Sequence, residues 1–310
     1  MALGTNHVTK TTADKFIPEI WSDEIIAAYK QNLVAANMFS KMAFKGKKGD
    51  TLHIPKPTRG SASVKAASTQ VTLIAATETE IQVLINKHYE YSRLIEDIVE
   101  TQALASLRKF YTDDAGYALA KQVDTDLIQL GRAVGSGTDY STSATATNAF
   151  IGSNGTTVYN STSSNAAALT DAAIRRSIQR LDDADVPMTD RCMIVPPSTR
   201  NTLMGLARFT EQAFVGDVGS ANTIRNGMIG DLYGVMSYVS TNADTAAGSS
   251  GTDRICLLAH KDAFVLAEQM GVRSQTQYKQ EYLGTLFTSD MLYGVAELRD
   301  SSAVALAVPA

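Results

Sequence analysis

The run from about Leu94 to Arg132 limits what this chain can become more than any other stretch. Leu104, Leu107, Tyr111, Ala115, Leu119, Val123, Leu127 and Leu130 recur every three or four residues, the spacing that lines one stripe of an α-helix. Arg108, Asp113, Asp114, Lys121, Asp124 and Asp126 fall off that stripe, so one side is expected to pack and the other to meet water or a polar neighbour. No proline interrupts the run. Helical from end to end, it would reach roughly 58 Å, about twice the diameter of a small domain. The alternative is two shorter helices broken near Gly116 or near Glu100 and Thr101. In either form the run is a beam on which the remaining segments are hung.

Upstream, residues 1 to about 19 are polar and aperiodic and read as an extended arm that orders against a partner. Trp21, Ile25, Ile26, Tyr29, Leu33, Val34 and Met38 suit a short amphipathic helix, with Ser22 and Asp23 at its start. Phe44 to Thr51 is a glycine turn, with Lys41, Lys45, Lys47 and Lys48 in and around it. It lacks the Gly-Lys-Ser/Thr entry into a helix that a phosphate loop needs, because the chain here enters a strand. Leu52 to Lys56 and the alternating Glu78 to Tyr91 read as two strands. Between them, Pro57 to Ala76 offers little to bury, so the flanking strands are expected to pair into a two-stranded finger. A ribbon of this kind is marginal alone in water and calls for bracing by another molecule.

Downstream of the beam, Gly135 to Ala168 is Ser-, Thr-, Asn- and Gly-rich and reads as a surface insertion or flexible loop, anchored at Tyr140, Phe150, Ile151, Val158 and Tyr159. Its two Asn-x-Thr matches, at Asn154 and Asn160, are read as coincidence. Thr170 caps a helix carrying Ile174, Ile178 and Leu181, with a Leu169–Ile174 staple and a stop at Pro187. Arg191 to Val195 is a strand ended by Pro196 and Pro197, after which Ser198 is the expected cap of a helix through Leu203 and Leu206. Ile229-Gly230-Asp231-Leu232-Tyr233-Gly234-Val235 leads through a tight turn into a strand at Met236 to Ser240, and Leu292-Tyr293-Gly294-Val295 reads as a second, similar strand entrance. Ile255 to Ala259 and Phe264 to Ala267 are strands, and Val295 to Arg299 with Val304 to Val308 a closing hairpin.

Catalytic chemistry is not legible. His7, His53, His88 and His260 stand far apart with no ligand spacing, the Gly-Ser stretches lack the setting of a nucleophile elbow, and neighbouring carboxylates such as Glu96 and Asp97 point apart. Neither catalytic, cofactor nor metal residues are assigned. A net charge of −4 disfavours general nucleic-acid binding, and no apolar run is long enough to span a bilayer. With no apolar signal segment at Met1 to Lys15, the chain is expected to be soluble and made in a cytoplasm. Cys192 and Cys256 read as buried thiols, although a disulfide between them is left open.

The order of these parts resembles the major capsid proteins of tailed bacteriophages with the Hong Kong 97 fold. The resemblance covers roughly Phe16 to Val308 and rests on Phe44 to Pro55, on Asn226 to Ser240 and on Asp290 to Arg299, set around one long helix. It implies an α+β chain: an N-terminal arm and short helix at 1–40, strands flanking an extended loop at 41–92 with its tip at about 56–78, and a peripheral domain at 93–190 with the spine helix and the 135–168 insertion. An axial domain at 191–281 and a return at 282–310 with the closing hairpin complete it. The implied function is self-assembly of hexamers and pentamers into an icosahedral or prolate shell around double-stranded DNA, without sequence-specific binding or a membrane. Subunit contacts would involve Phe16 and Trp21 of the arm, Lys56, Arg59 and Lys65 of the loop, and Tyr233 and Gly234 of the axial part. The implied partners are a separate scaffolding protein, expected because the chain opens directly on a short arm, a portal and decoration proteins. The implied location is the virion, after assembly in the host cytoplasm. Lys65 stands where some members cross-link, but no acceptor asparagine motif lies near the C-terminus, so no covalent linkage is expected. Alternatives are an encapsulin-like compartment around protein cargo and, from another class, a hydrolase or binding protein with a concave polar site.

Overall fold

The computed structural model describes residues 35–44, 48–57, 60–71, 73, 78–98, 107–142, 145–206, 231–247 and 252–310. Ala35–Met38 (α1) is helical, and the upstream part of the helix expected over Ile20 to Met38 lies outside the described residues. The beam is present as Leu107–Gln129 (α2), continuous through Gly116 and closed by a 3₁₀ turn at Leu130–Arg132. Ala115, Leu119, Val123 and Leu127 are buried along it, as their spacing requires.

One part of the beam reading is corrected. Leu94 and Ile95 belong to a strand, Lys87–Glu96 (β4), where they pair with Leu286 and Thr285, so the ladder overrides their helical spacing. Of the two settings expected for the off-stripe charges, Asp124 and Asp126 take the polar neighbour rather than water: they are 3% and 5% exposed and hydrogen-bonded.

Two sheets flank α2. The smaller has the order β1-β12-β13-β4, with Ser40–Ala43 (β1), Phe264–Lys279 (β12) and Gly284–Glu297 (β13). β12 and β13 form a long antiparallel hairpin, paired from Phe264↔Glu297 to Lys279↔Gly284 with register shifts between Glu268 and Arg273. Only the first four residues of β12 were legible as a strand, because from Glu268 onward its residues are mostly polar and, Ser274 apart, half-buried or exposed.

The larger sheet has eight strands in the order β6-β5-β14-β11-β7-β9-β8, with β10 also paired to β11. These are Thr145–Ile151 (β5), Val158–Asn160 (β6), Arg191–Val195 (β7), Asp231–Leu232 (β8), Val235–Val239 (β9), Thr245–Ala247 (β10), Thr252–His260 (β11) and Ala303–Val308 (β14). Asp171–Asp183 (α3) and Pro197–Met204 (α4) pack on one face, where Ile174, Leu181 and Leu203 meet Met193, Val195, Cys256, Leu258 and Leu306. On the other face Cys192, Ile194, Leu257 and Ala259 join Leu119, Val123 and Leu127 of α2. That cluster also contains Phe264, Leu266, Met291 and Tyr293 of the smaller sheet, so α2 seals both sheets at once. Strands covered on both faces read as unbroken apolar runs, as β7 and β14 do.

The remaining corrections follow from pairing. Gly135 to Ala168 is no loose insertion: β5 runs parallel to β14, β6 pairs with β5, and Tyr140 and Tyr159 are fully buried. The expected strand Glu78 to Tyr91 is two strands, Thr79–Leu84 (β3) and β4, which leave for different sheets at Ile85 and Asn86. Its alternation survives the break, since Ile81, Val83 and Ile85, then Tyr89 and Tyr91, all turn inward. The closing hairpin is not formed: β13 and β14 are joined by a 3₁₀ turn at Asp300–Ser302 and enter different sheets. Leu292 to Val295 lies within β13, toward its C-terminal end, rather than at an entrance. Thr170 caps α3 as expected, its hydroxyl accepting from the Ala173 N–H at 3.3 Å, but that helix ends at Asp183, before Pro187 is reached. The cap of α4 is Pro196 rather than Ser198, with Pro197 in the first turn, where a missing N–H costs nothing.

Candidate functional site

The finger forms as its flanking strands require. Thr51–Lys56 (β2) pairs with β3 from Thr51↔Leu84 to Lys56↔Thr79. Beyond that register, residues 60–71 are exposed throughout, with Val64, Val71 and Leu73 turned to solvent. Lys56 and Lys65 are exposed on this finger, while Arg59 lies outside the described residues, as do Phe16 and Trp21. The base of the finger is closed by Phe44, Val83 and Ile85 against Val265 and Ala267 of β12. There Gly294 is indispensable, since a Cβ at that position would stand 2.2 Å from the Leu84 carbonyl oxygen.

Tyr233 and Gly234 form the turn between β8 and β9, with φ of 53° and 78°. Both residues of a two-residue hairpin turn need positive φ for its twist to match the strands, and Gly supplies this freely. The Tyr233 ring is half-exposed at the sheet edge, and its hydroxyl donates to Asp171 of α3. The same tetrapeptide therefore does opposite work in its two copies: Tyr233 is a wet turn residue, whereas Tyr293 is fully buried.

Sequence reasoning missed the carboxylates that tie the beam to its surroundings. Asp124 accepts from the Ala35 backbone N–H at 2.7 Å and from Asn242 Nδ2 at 3.1 Å, joining α1, α2 and the loop after β9. Asp126 accepts from the Tyr293 hydroxyl at 2.5 Å and Gln122 Nε2 at 3.1 Å, and Lys87 Nζ lies 3.1 Å away. Asp244 takes Arg132 in a bidentate pair, 2.7 Å at each oxygen, and the Tyr140 hydroxyl at 2.8 Å. Burial and the adjacent carboxylate push the Tyr140 hydroxyl far above its ordinary pKa, so it stays a donor. The signal was present, since Asp124 stands beside Val123 and Asp126 beside Leu127, at the border of the apolar stripe. On the outer face of the smaller sheet, Arg273 grips Asp290 at 3.1 and 2.7 Å, and His88 Nε2 lies 3.1 Å from it. Burial works to raise the Asp290 pKa, but the hydrogen bonds from Arg273 and His88 outweigh it and hold it below the usual carboxylate range.

These groups are clasps between elements rather than reacting centres. Among the described residues no three of His, Cys, Asp and Glu gather as a metal site would require. Cys192 and Cys256 point to opposite faces of the larger sheet and are free, and burial pushes both thiols up to about 12. A cavity of about 290 Å³ lies among Leu84, Asn86, Lys87, Asp126 and Gln129, at the root of the finger.

The profile of a family described as phage capsid protein matches residues 39–306. Among solved structures, the chain resembles that of Mycobacterium phage Che8 at 20% identity, covering 99% of this chain and 96% of that one with a TM-score of 0.69. The capsid of the cyanophage P-SCSP1u is similar at 18% identity, over 99% and 92% of the two chains, with a TM-score of 0.68. A virus-like particle from Pyrococcus furiosus shares the fold at 9% identity, over 94% and 99%, with a TM-score of 0.57. No curated protein sequence matches.

Proposed function

The chain belongs to the phage capsid protein family, a major capsid protein with the Hong Kong 97-like fold whose copies form the virion shell, and from that premise we propose how its parts serve assembly. It is a structural protein, not an enzyme. The β2–β3 finger, with Lys56, Arg59 and Lys65, lies on a neighbouring subunit, and the arm carrying Phe16 and Trp21 does the same. The turn at Tyr233 and Gly234 faces other copies from the edge of the larger sheet, which serves as the axial part. The smaller sheet and α2 serve as the peripheral part, a division that moves β5, β6 and β14 to the axial side and β12 to the peripheral side of the bounds expected from the sequence.

The observation that carries this reading is the finger itself, which exposes Val64, Val71 and Leu73 and leaves residues 60–71 exposed throughout. Apolar side chains held in water on the loop beyond a two-stranded ribbon gain their burial when another copy covers them. The shell encloses double-stranded DNA delivered through a portal. A separate scaffolding protein guides assembly in the host cytoplasm, and decoration proteins bind the finished surface. A net charge of −4 suits a wall that confines a genome without gripping it.

The test is expression with and without a co-expressed scaffold, followed by electron microscopy and limited trypsin digestion. Closed particles are expected, with cleavage after Lys65 fast in the free subunit and suppressed in the particle. A product that stays monomeric under all these conditions, or a finger cut equally fast in both states, overturns the proposal.

A further inference from the structure

We propose that the side-chain amide of Asn165 closes the free edge of the larger sheet against strand pairing with a second copy of this chain. β6 is the outermost strand at that end of the sheet, paired with β5 on one side. An outermost strand offers its unspent N–H and C=O groups to any chain that can lie alongside it, and charged side chains or prolines are the usual protection. β4, outermost in the smaller sheet, is protected in that way by Lys87, His88, Glu90, Arg93 and Glu96. β6 has no such help, since neither a charged residue nor a proline occurs from Tyr140 to Thr170.

An amide stands there instead. The Asn160 N–H donates to Asn165 Oδ1 at 2.8 Å, and Asn165 Nδ2 donates to the Val158 carbonyl at 3.1 Å. Val158 and Asn160 are two residues apart, so their backbone groups leave the same side of the strand. One side chain thus fills both positions, a donor and an acceptor, that a further strand would need. The loop between them holds it in place. Asn160 Oδ1 accepts from the N–H groups of Thr162 and Ser163 at 2.9 and 3.2 Å, and Ser164 takes φ 47°, a left-handed conformation that costs a residue with a Cβ. The Ser164 hydroxyl donates at 2.9 Å to the buried Asp253 carboxylate, which also accepts from the Tyr159 hydroxyl at 2.8 Å. The strained residue is therefore pinned from below, and its turn brings Asn165 back alongside β6.

A second copy is the strand to be kept out. Two β6 edges turned towards each other about a two-fold axis would set donor against acceptor, with no charge on either side to repel. For a chain that meets many copies of itself, this pairing is a competing association, and the amide removes it. The lock belongs to the free chain and is tested there, so it stands or falls separately from the shell reading.

The test uses the full-length, unassembled chain. Hydrogen exchange at the Asn160 amide should be about tenfold or more slower in wild type than in Asn165→Ala. On mild warming, N165A should self-associate about tenfold faster than wild type by light scattering. N165K loses the same two hydrogen bonds but sets a charge on the edge, so it should stay as dispersed as wild type even though its urea midpoint falls as far as that of N165A. N165A no faster than wild type, or N165A and N165K associating alike, would overturn the proposal. Should N165A fail to fold, wild type alone decides: an Asn160 amide that exchanges as fast as an unprotected one overturns the lock, and a protected one supports it.

Discussion

Replacing Glu297 by glutamine isolates a half-buried carboxyl group whose ionisation opposes the fold near neutral pH. Glu297 ends β13, where the chain leaves the smaller sheet for the larger one, and its Oε1 is buried without a hydrogen-bond partner. Burial first, then the Asp300 carboxylate beside it, raises its pKa from 4.5 to about 7. The folded chain thus holds this proton more tightly than the unfolded chain. The resulting stability is complete below pH 4.5 and is lost as pH rises through about 7. At 1.36 kcal/mol per tenfold the full move amounts to about 3 kcal/mol, and since much of the side chain remains within reach of solvent, about 1–2 kcal/mol is expected. Glutamine keeps the shape, and its amide can donate to Asp300 in place of the acid proton. Urea midpoints of the unassembled chain at pH 4.5 and pH 8.5 measure the difference. E297Q should match wild type within a few tenths of a kcal/mol at the lower pH. At the higher pH it should exceed wild type by about 1–2 kcal/mol. Parallel pH profiles for the two chains would refute the reasoning.

Three further outcomes follow from the packing. Asp244→Ala leaves the Arg132 guanidinium and the buried Tyr140 hydroxyl without their shared acceptor, and thermal melting should report a loss of about 3 kcal/mol. Gly294→Ala drives a methyl group onto the Leu84 carbonyl and should cost about 2 kcal/mol or more. Hydrogen exchange should then show lost protection in β3 and the start of β4, with α3 unaffected. Cys192 and Cys256 should stay unreactive to a thiol reagent in the native chain and react together on unfolding, with no disulfide formed under mild oxidant.

Local signals in the sequence went far where period and chemistry coincide. The α2 stripe, the Thr170 cap, the pairing of β2 with β3 and the glycine turn at Gly234 are short-range consequences of spacing and of which residues tolerate which φ, and each is seen in the fold. Readings failed where a segment's partner lies far away in the chain. Composition marks Gly135 to Ala168 as a loop, yet it supplies two strands because β14, more than 130 residues on, offers β5 an open edge. The polar half of β12 carries no apolar period and becomes a strand because β13 folds back along it. Of the expected contact residues, Lys56, Lys65, Tyr233 and Gly234 are exposed.

By itself, then, the sequence determined the beam, the finger and the order of parts, because hydrophobic spacing, caps and turns act over a few residues. Which strands share a sheet, and where Asp124, Asp126 and Asp244 spend their hydrogen bonds, was decided only in three dimensions. The same Leu-Tyr-Gly-Val shows why: residues 232–235 make a hairpin turn at an open sheet edge, and residues 292–295 run straight through a buried strand beneath the Leu84 carbonyl. Four residues carry no information about which backbone will lie against them, and it is that contact which selects between a turn and a strand.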